Sequence, residues 1–115
     1  MRLREVKKLL FDVQEGCALI MEFTEGRTLD QYVKDRMLQS AVERQAEIIG
    51  EALRQAAVLD ASLADEIPEL RKIIAFPDRL AHGYADISPE IVWAIAADDV
   101  PKLLTEVRAA MGESP

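Results

Sequence analysis

Residues 36–57 admit one kind of regular structure. Ala41, Val42, Gln45, Ile48, Ile49, Ala52, Leu53 and Ala56 fall within an arc of about 140° when the chain advances about 100° per residue. Strands alternate sides at every residue and cannot gather these positions onto one face. The pattern predicts a long amphipathic helix. Its apolar arc is wider than a coiled-coil seam needs, so it can serve an internal core and a second surface, such as a dimer partner. Glu43, Glu47, Glu51 and Arg54 take the opposite side. Three carboxylates at spacings of four can suggest a metal ridge, but Arg54 among them fits a solvated face better. Gly50 lies inside this helix, where close approach of a neighbouring helix is one reason to keep it.

The rest of the chain repeats the helical signature. Val6, Leu9, Leu10, Val13, Cys17, Ile20 and Met21 predict an amphipathic helix over residues 3–23, with Gly16 as a tolerated weak point. "TEGRT" (24–28) interrupts it, and "LDQYVKD" (29–35) reads as a short helical turn. "AVLDASLADEIPEL" (57–70) is a connection, with Pro68 suited to a first helical turn. Leu70, Ile73, Ile74 and Phe76 begin the next stripe, and Pro77 predicts a kink or restart because it removes an amide donor and disfavours a helical Phe76. Residues 78–82 can still be helical, with Gly83 as terminator. "DISPEIVW" restarts a helix, with Ser88 as N-cap, Pro89 at the first position and Glu90 in the first turn. Its apolar side is expected to run through Ile91, Ile95, Val100, Leu103, Leu104, Val107 and Met111, with a bend at Pro101 after Asp98 and Asp99. At 115 residues this is one domain, an all-α bundle of four or five helices, with a frayed tail from about 112.

Composition excludes several classes. Fourteen basic against twenty-one acidic residues leave a net charge of −7, which argues against a protein that coats nucleic acid with a broad basic face. Cys17 is the lone cysteine, so neither an intrachain disulfide nor a cysteine zinc cluster can form, and its place on the apolar stripe predicts a buried thiol. No apolar run is long enough to span a membrane, and the expected location is the cytoplasm. There is no Gly-rich phosphate loop, no zinc motif and no nucleophile elbow. No cofactor is expected.

The chemistry concentrates in "FPDRLAHGYADIS" (76–88), which holds the only histidine. If "DRLAH" is helical, Arg79 and His82 share a face at i and i+3. If the chain is extended after Ala81, His82 and Tyr84 point the same way. An imidazole can move a proton near neutral pH, and a guanidinium can stabilise charge developing on a phosphate. Together they could cleave RNA without metal, with His82 assisting attack of a 2′-hydroxyl and Arg79 stabilising the oxyanion. The competing reading is that both residues bond the last carbonyls of a helix, and that Tyr84 and Trp93 are packing residues with a polar tip.

Two blocks carry a resemblance. "AVERQAEIIGEAL" (41–53) is similar to the long second helix of the HepT-like family of HEPN-domain proteins, with its "IIGEA" core. "IPEL" (67–70) through "HGYADISPEIVWAIAADDVPKLL" (82–104) resembles that family's His-x-Tyr, tryptophan helix and Asp-apolar-Pro bend. The resemblance implies a small helical homodimer, a HEPN-like fold and metal-independent endoribonuclease activity. It also implies a toxin neutralised by a minimal nucleotidyltransferase antitoxin, which AMPylates the motif tyrosine. His82 matches the motif histidine, Tyr84 the modifiable tyrosine and Asp78 the polar position. The sequence departs from the family where its arginine stands five residues before the histidine, because that position is Pro77. Arg79 is the nearby substitute. The alternative is a catalytically silent dimer that binds the nucleotidyltransferase. Arg71 and Lys72, upstream of the motif, fit either reading as phosphate contacts or as solvated residues.

Overall fold

The computed structural model describes residues 3–81 and 88–112, with side chains for all of these but 76–81. The described elements are all helical, and no strand occurs among them. They are α1 (Arg4–Thr24), α2 (Leu29–Lys34), α3 (Arg36–Leu59), α4 (Leu63–Glu66), α5 (Leu70–Ala81), α6 (Pro89–Ala94), a π-helical turn (Ile95–Asp99) and α7 (Val100–Ala110). The two long helices, α1 and α3, fall where the apolar periodicity places them.

Short polar side chains set the boundaries. Thr28 and Gln31 form a capping box at the start of α2, each side chain accepting from the other's backbone N–H at 3.2 and 3.0 Å. Asp35 ends α2 and starts α3 by accepting from the Leu38 N–H at 3.0 Å. Gln39 Nε2 then donates to the final carbonyls of α2, those of Tyr32 and Val33, at 3.0 Å each. Ser88 caps α6, and Pro89 occupies its first turn, as expected.

One core joins the elements. Val6, Leu10, Val13, Cys17 and Ile20 from α1 meet Val42, Ile49 and Leu53 from α3 and Leu103 and Val107 from α7. Gly16 is more than a tolerated weak point. A Cβ there would stand 2.6 Å from Ile49 Cγ1, so α1 and α3 approach as closely as they do because this residue has no side chain. Most of the apolar arc on α3 is used internally. Val42, Ile49, Ala52, Leu53 and Ala56 are buried, while Ala41, Gln45 and Ile48 remain partly exposed.

Two proline expectations are modified. Helix α5 is continuous through Pro77 to Ala81, with no restart. At Pro101 the departure is a π-helical turn just before the proline. Pro101 has no N–H to return to the Ala97 carbonyl and its ring crowds that oxygen. The Val100 N–H reaches back five residues, to the Ile95 carbonyl. The wider turn takes an extra residue, so the buried series runs Val92, Ala96, Val100 and Leu103. Ile91, expected on the apolar side, is exposed, and Ile95 is only partly buried.

Candidate functional site

Helix α5 carries the start of the motif. His82 and Tyr84 lie outside the described residues, as does Gly83. Asp78 and Arg79 have their backbone in α5, and their side chains lie outside the described part. What the structure supplies is the helical register of this segment and the frame around it.

The register separates two positions that the sequence treats as interchangeable. Leu70 and Ile73 are buried and Ile74 is partly buried, whereas Arg71, Lys72 and Ala75 are exposed. Position 77 follows Ile73 by four residues and so shares its inward face. Position 79 is about 200° further round the axis than position 77, on the side of Ala75, at about 100° per residue.

Ion pairing and aromatic packing hold the frame. Lys72 Nζ lies 2.9 Å from Asp99 Oδ2, and the two side chains are 59% and 10% exposed. The hydrogen bond to Asp99, followed by the charge of that carboxylate, raises the Lys72 pKa, so the ammonium remains charged through neutral pH. Glu106 Oε1 accepts from the Glu69 N–H at 3.2 Å, tying α7 to the start of α5. Trp93 of α6 packs on Tyr32 of α2, with ring centroids 5.4 Å apart and planes tilted by 44°. Trp93 is therefore a packing residue, as expected. Tyr32 is fully buried, and its hydroxyl finds no acceptor among the described residues. Burial, with Glu43 as the second cause, raises its pKa.

Ion pairs run along the acidic side of α3, where Glu51 is exposed and Glu43, Glu47 and Arg54 are partly buried. Arg54 Nη1 lies 3.3 Å from Glu51 Oε1, and Arg44 Nη1 lies 4.0 Å from Glu47 Oε2. Desolvation, then the charge of Glu47, raises the Glu43 pKa. Among the described residues, no group of three or more His, Cys, Asp or Glu could hold a metal ion. Nor is any described helix long and apolar enough to cross a membrane.

With this frame in place, comparison with known proteins decides the family. The HepT-like family model, described as Ribonuclease HepT-like, matches residues 13–110. The chain belongs to the HepT-like ribonuclease family. A "Putative RNase" of Methanocaldococcus jannaschii is 32% identical over 106 residues, covering 90% of this chain and 85% of its own. A "Probable ribonuclease HepT" of Thermococcus cleftensis is 34% identical over 100 residues, covering 87% of this chain and 90% of its own. A second M. jannaschii protein, "Gamma-glutamylcyclotransferase and putative RNase", is 31% identical over 110 residues, covering 96% of this chain and 49% of its own. No solved structure matches. Sequence reasoning had not singled out the Lys72–Asp99 pair. Its signal was the bend motif itself, a carboxylate placed two residues before a proline.

Proposed function

We propose that this protein is a HepT-like toxin, a metal-independent endoribonuclease acting as a homodimer. In this reading His82 assists attack of a ribose 2′-hydroxyl on the adjacent phosphate. Arg79 stabilises the oxyanion, and Asp78 holds the family's polar position. A cognate minimal nucleotidyltransferase antitoxin silences the site by transferring AMP to Tyr84, whose added bulk and negative charge would exclude RNA. The observation that carries the reading is the family match, which runs through the whole motif segment. The names of the relatives, which speak of ribonucleases, support it.

Pro77 favours a second reading, a silent dimer that keeps the fold and the nucleotidyltransferase partner. Its position is on the inward side of α5 and carries no cation. Losing an oxyanion donor typically costs about 2.7–4 kcal/mol of transition-state stabilisation. One experiment separates the two: RNA cleavage in excess EDTA by wild type, His82→Ala and Pro77→Arg. Wild-type cleavage abolished in His82→Ala supports the toxin. An inert wild type with an active Pro77→Arg supports a silent member with an intact cleft. Inertness of all three leaves the partner-binding dimer.

A further inference from the structure

Asp99 is the charged residue that the fold buries among the described residues, at 7% exposure. Taking a carboxylate out of water is costly unless a partner compensates it, and removing that partner is more costly still. The partner is Lys72, at 2.9 Å. Asp99 reaches α5 because of where the π-helical turn places it. The Val100 N–H bonds to the Ile95 carbonyl, and the extra residue in that turn shifts the face on which residue 99 emerges. Proline, π-helical turn, buried carboxylate and lysine therefore form one connected arrangement.

Its location gives it consequence. Lys72 lies in the first turn of α5, the helix that carries the motif, and Asp99 lies at the end of the turn that follows α6. Residues 82–88 connect the end of α5 to the start of α6. The ion pair closes a loop around that connection, and the Glu69–Glu106 hydrogen bond ties the residue before α5 to α7. We propose that Asp99 is a positioning residue for α5, the helix that carries Asp78 and Arg79: paired with Lys72, it ties the first turn of α5 to the π-helical turn. The proposal rests on the ribonuclease reading for its catalytic consequence. It also assigns Lys72 an internal role in place of a contact with RNA phosphate.

The test uses wild type, Asp99→Asn, Lys72→Met and Lys72→Arg. Amide hydrogen exchange is read segment by segment, beside kcat, KM and the salt dependence of RNA binding. In Asp99→Asn and Lys72→Met, exchange should rise about tenfold in α5 and α6 and stay unchanged in α1 and α3, because the opening is local. The same two variants should lose about tenfold in kcat with KM little changed, as expected when a transition-state arrangement is disturbed and ground-state binding is kept. Lys72→Arg should retain both properties. Unchanged exchange in α5 and α6, or a rise spread equally through α1 and α3, overturns the clamp. Local opening with undiminished kcat overturns the positioning role. A salt slope for RNA binding that becomes shallower by about 0.7 in Lys72→Met would mark Lys72 as a phosphate contact and also overturn it. If wild type cleaves no RNA, the ribonuclease reading fails, and the exchange arm alone decides whether the clamp exists.

Discussion

Gly16 of α1 lies directly against Ile49 of α3, between the two longest described helices. Gly16→Ala gains about 1 kcal/mol of helix propensity, but its methyl group collides with Ile49, which is 1% exposed and has little room to move. Overpacking of this kind costs about 1–3 kcal/mol, and the expected net loss in a urea titration is about 1 kcal/mol. Tyr32→Phe works the other way. It removes a buried hydroxyl that has no acceptor among the described residues, so stability should hold or rise by about 1 kcal/mol. Burial pushes the Cys17 thiol from its usual 9.0 up to about 12, with Arg108 pulling slightly downward. The folded protein therefore keeps a proton that the unfolded chain releases, and stability falls as pH rises above about 9. The thiol contributes at most about 1.4 kcal/mol per pH unit. Urea midpoints at pH 8 and pH 10 should show the fall, and a disulfide reagent at pH 8 should react only with unfolded protein.

At the scale of elements, the Ser88 cap is legible in the sequence, whereas those at Thr28 and Asp35 emerge only in the structure. Ser88 and Pro89 are read correctly from sequence because an N-cap needs only a short polar side chain and a local hydrogen bond. The Ser88 hydroxyl accepts from the Ile91 N–H at 3.3 Å. Ser88→Ala should cost about 1 kcal/mol of stability by thermal or urea unfolding. α6 is only six residues long, and it should therefore lose hydrogen-exchange protection before α1 or α3 does. Pro77 and Pro101 show the limit of local reading. Each lacks the same N–H, yet one sits within a continuous helix and the other follows a π-helical turn. The buried phase after Ser88 runs through Val92 in place of Ile91, and no propensity of residues 91–95 announces it.

Across the whole molecule, the extents of 45 × 30 × 19 Å describe a slab whose thinnest dimension is about two helix diameters. That shape leaves large apolar side chains at the surface, including Met37 at 84% and Val58 at 81% exposure. The proposed homodimer would have twice the 12.9 kDa mass of one chain, and sedimentation equilibrium should report that mass. A monomer at all accessible concentrations would remove the dimer from both functional readings. The net charge of −7 opposes RNA at long range. Any RNA affinity should be weak and should fall with a log–log slope of about −0.7 per phosphate contact as salt rises. Constant affinity from low to high salt would contradict a site that reads phosphate.

The sequence by itself determined the long helices, the cap at Ser88, the burial of Cys17 and the family. These depend on 3.6-residue periodicity, on hydrogen bonds within a few residues, and on motifs carried over most of the chain. The tertiary structure decided how Gly16 is used, which side of α5 holds position 77, and that Lys72 is paired with Asp99. Each of those is a relation between groups far apart in the chain or on opposite faces of one helix. Local spacing is silent on such relations, because distance in space and direction around an axis are settled only when the helices pack.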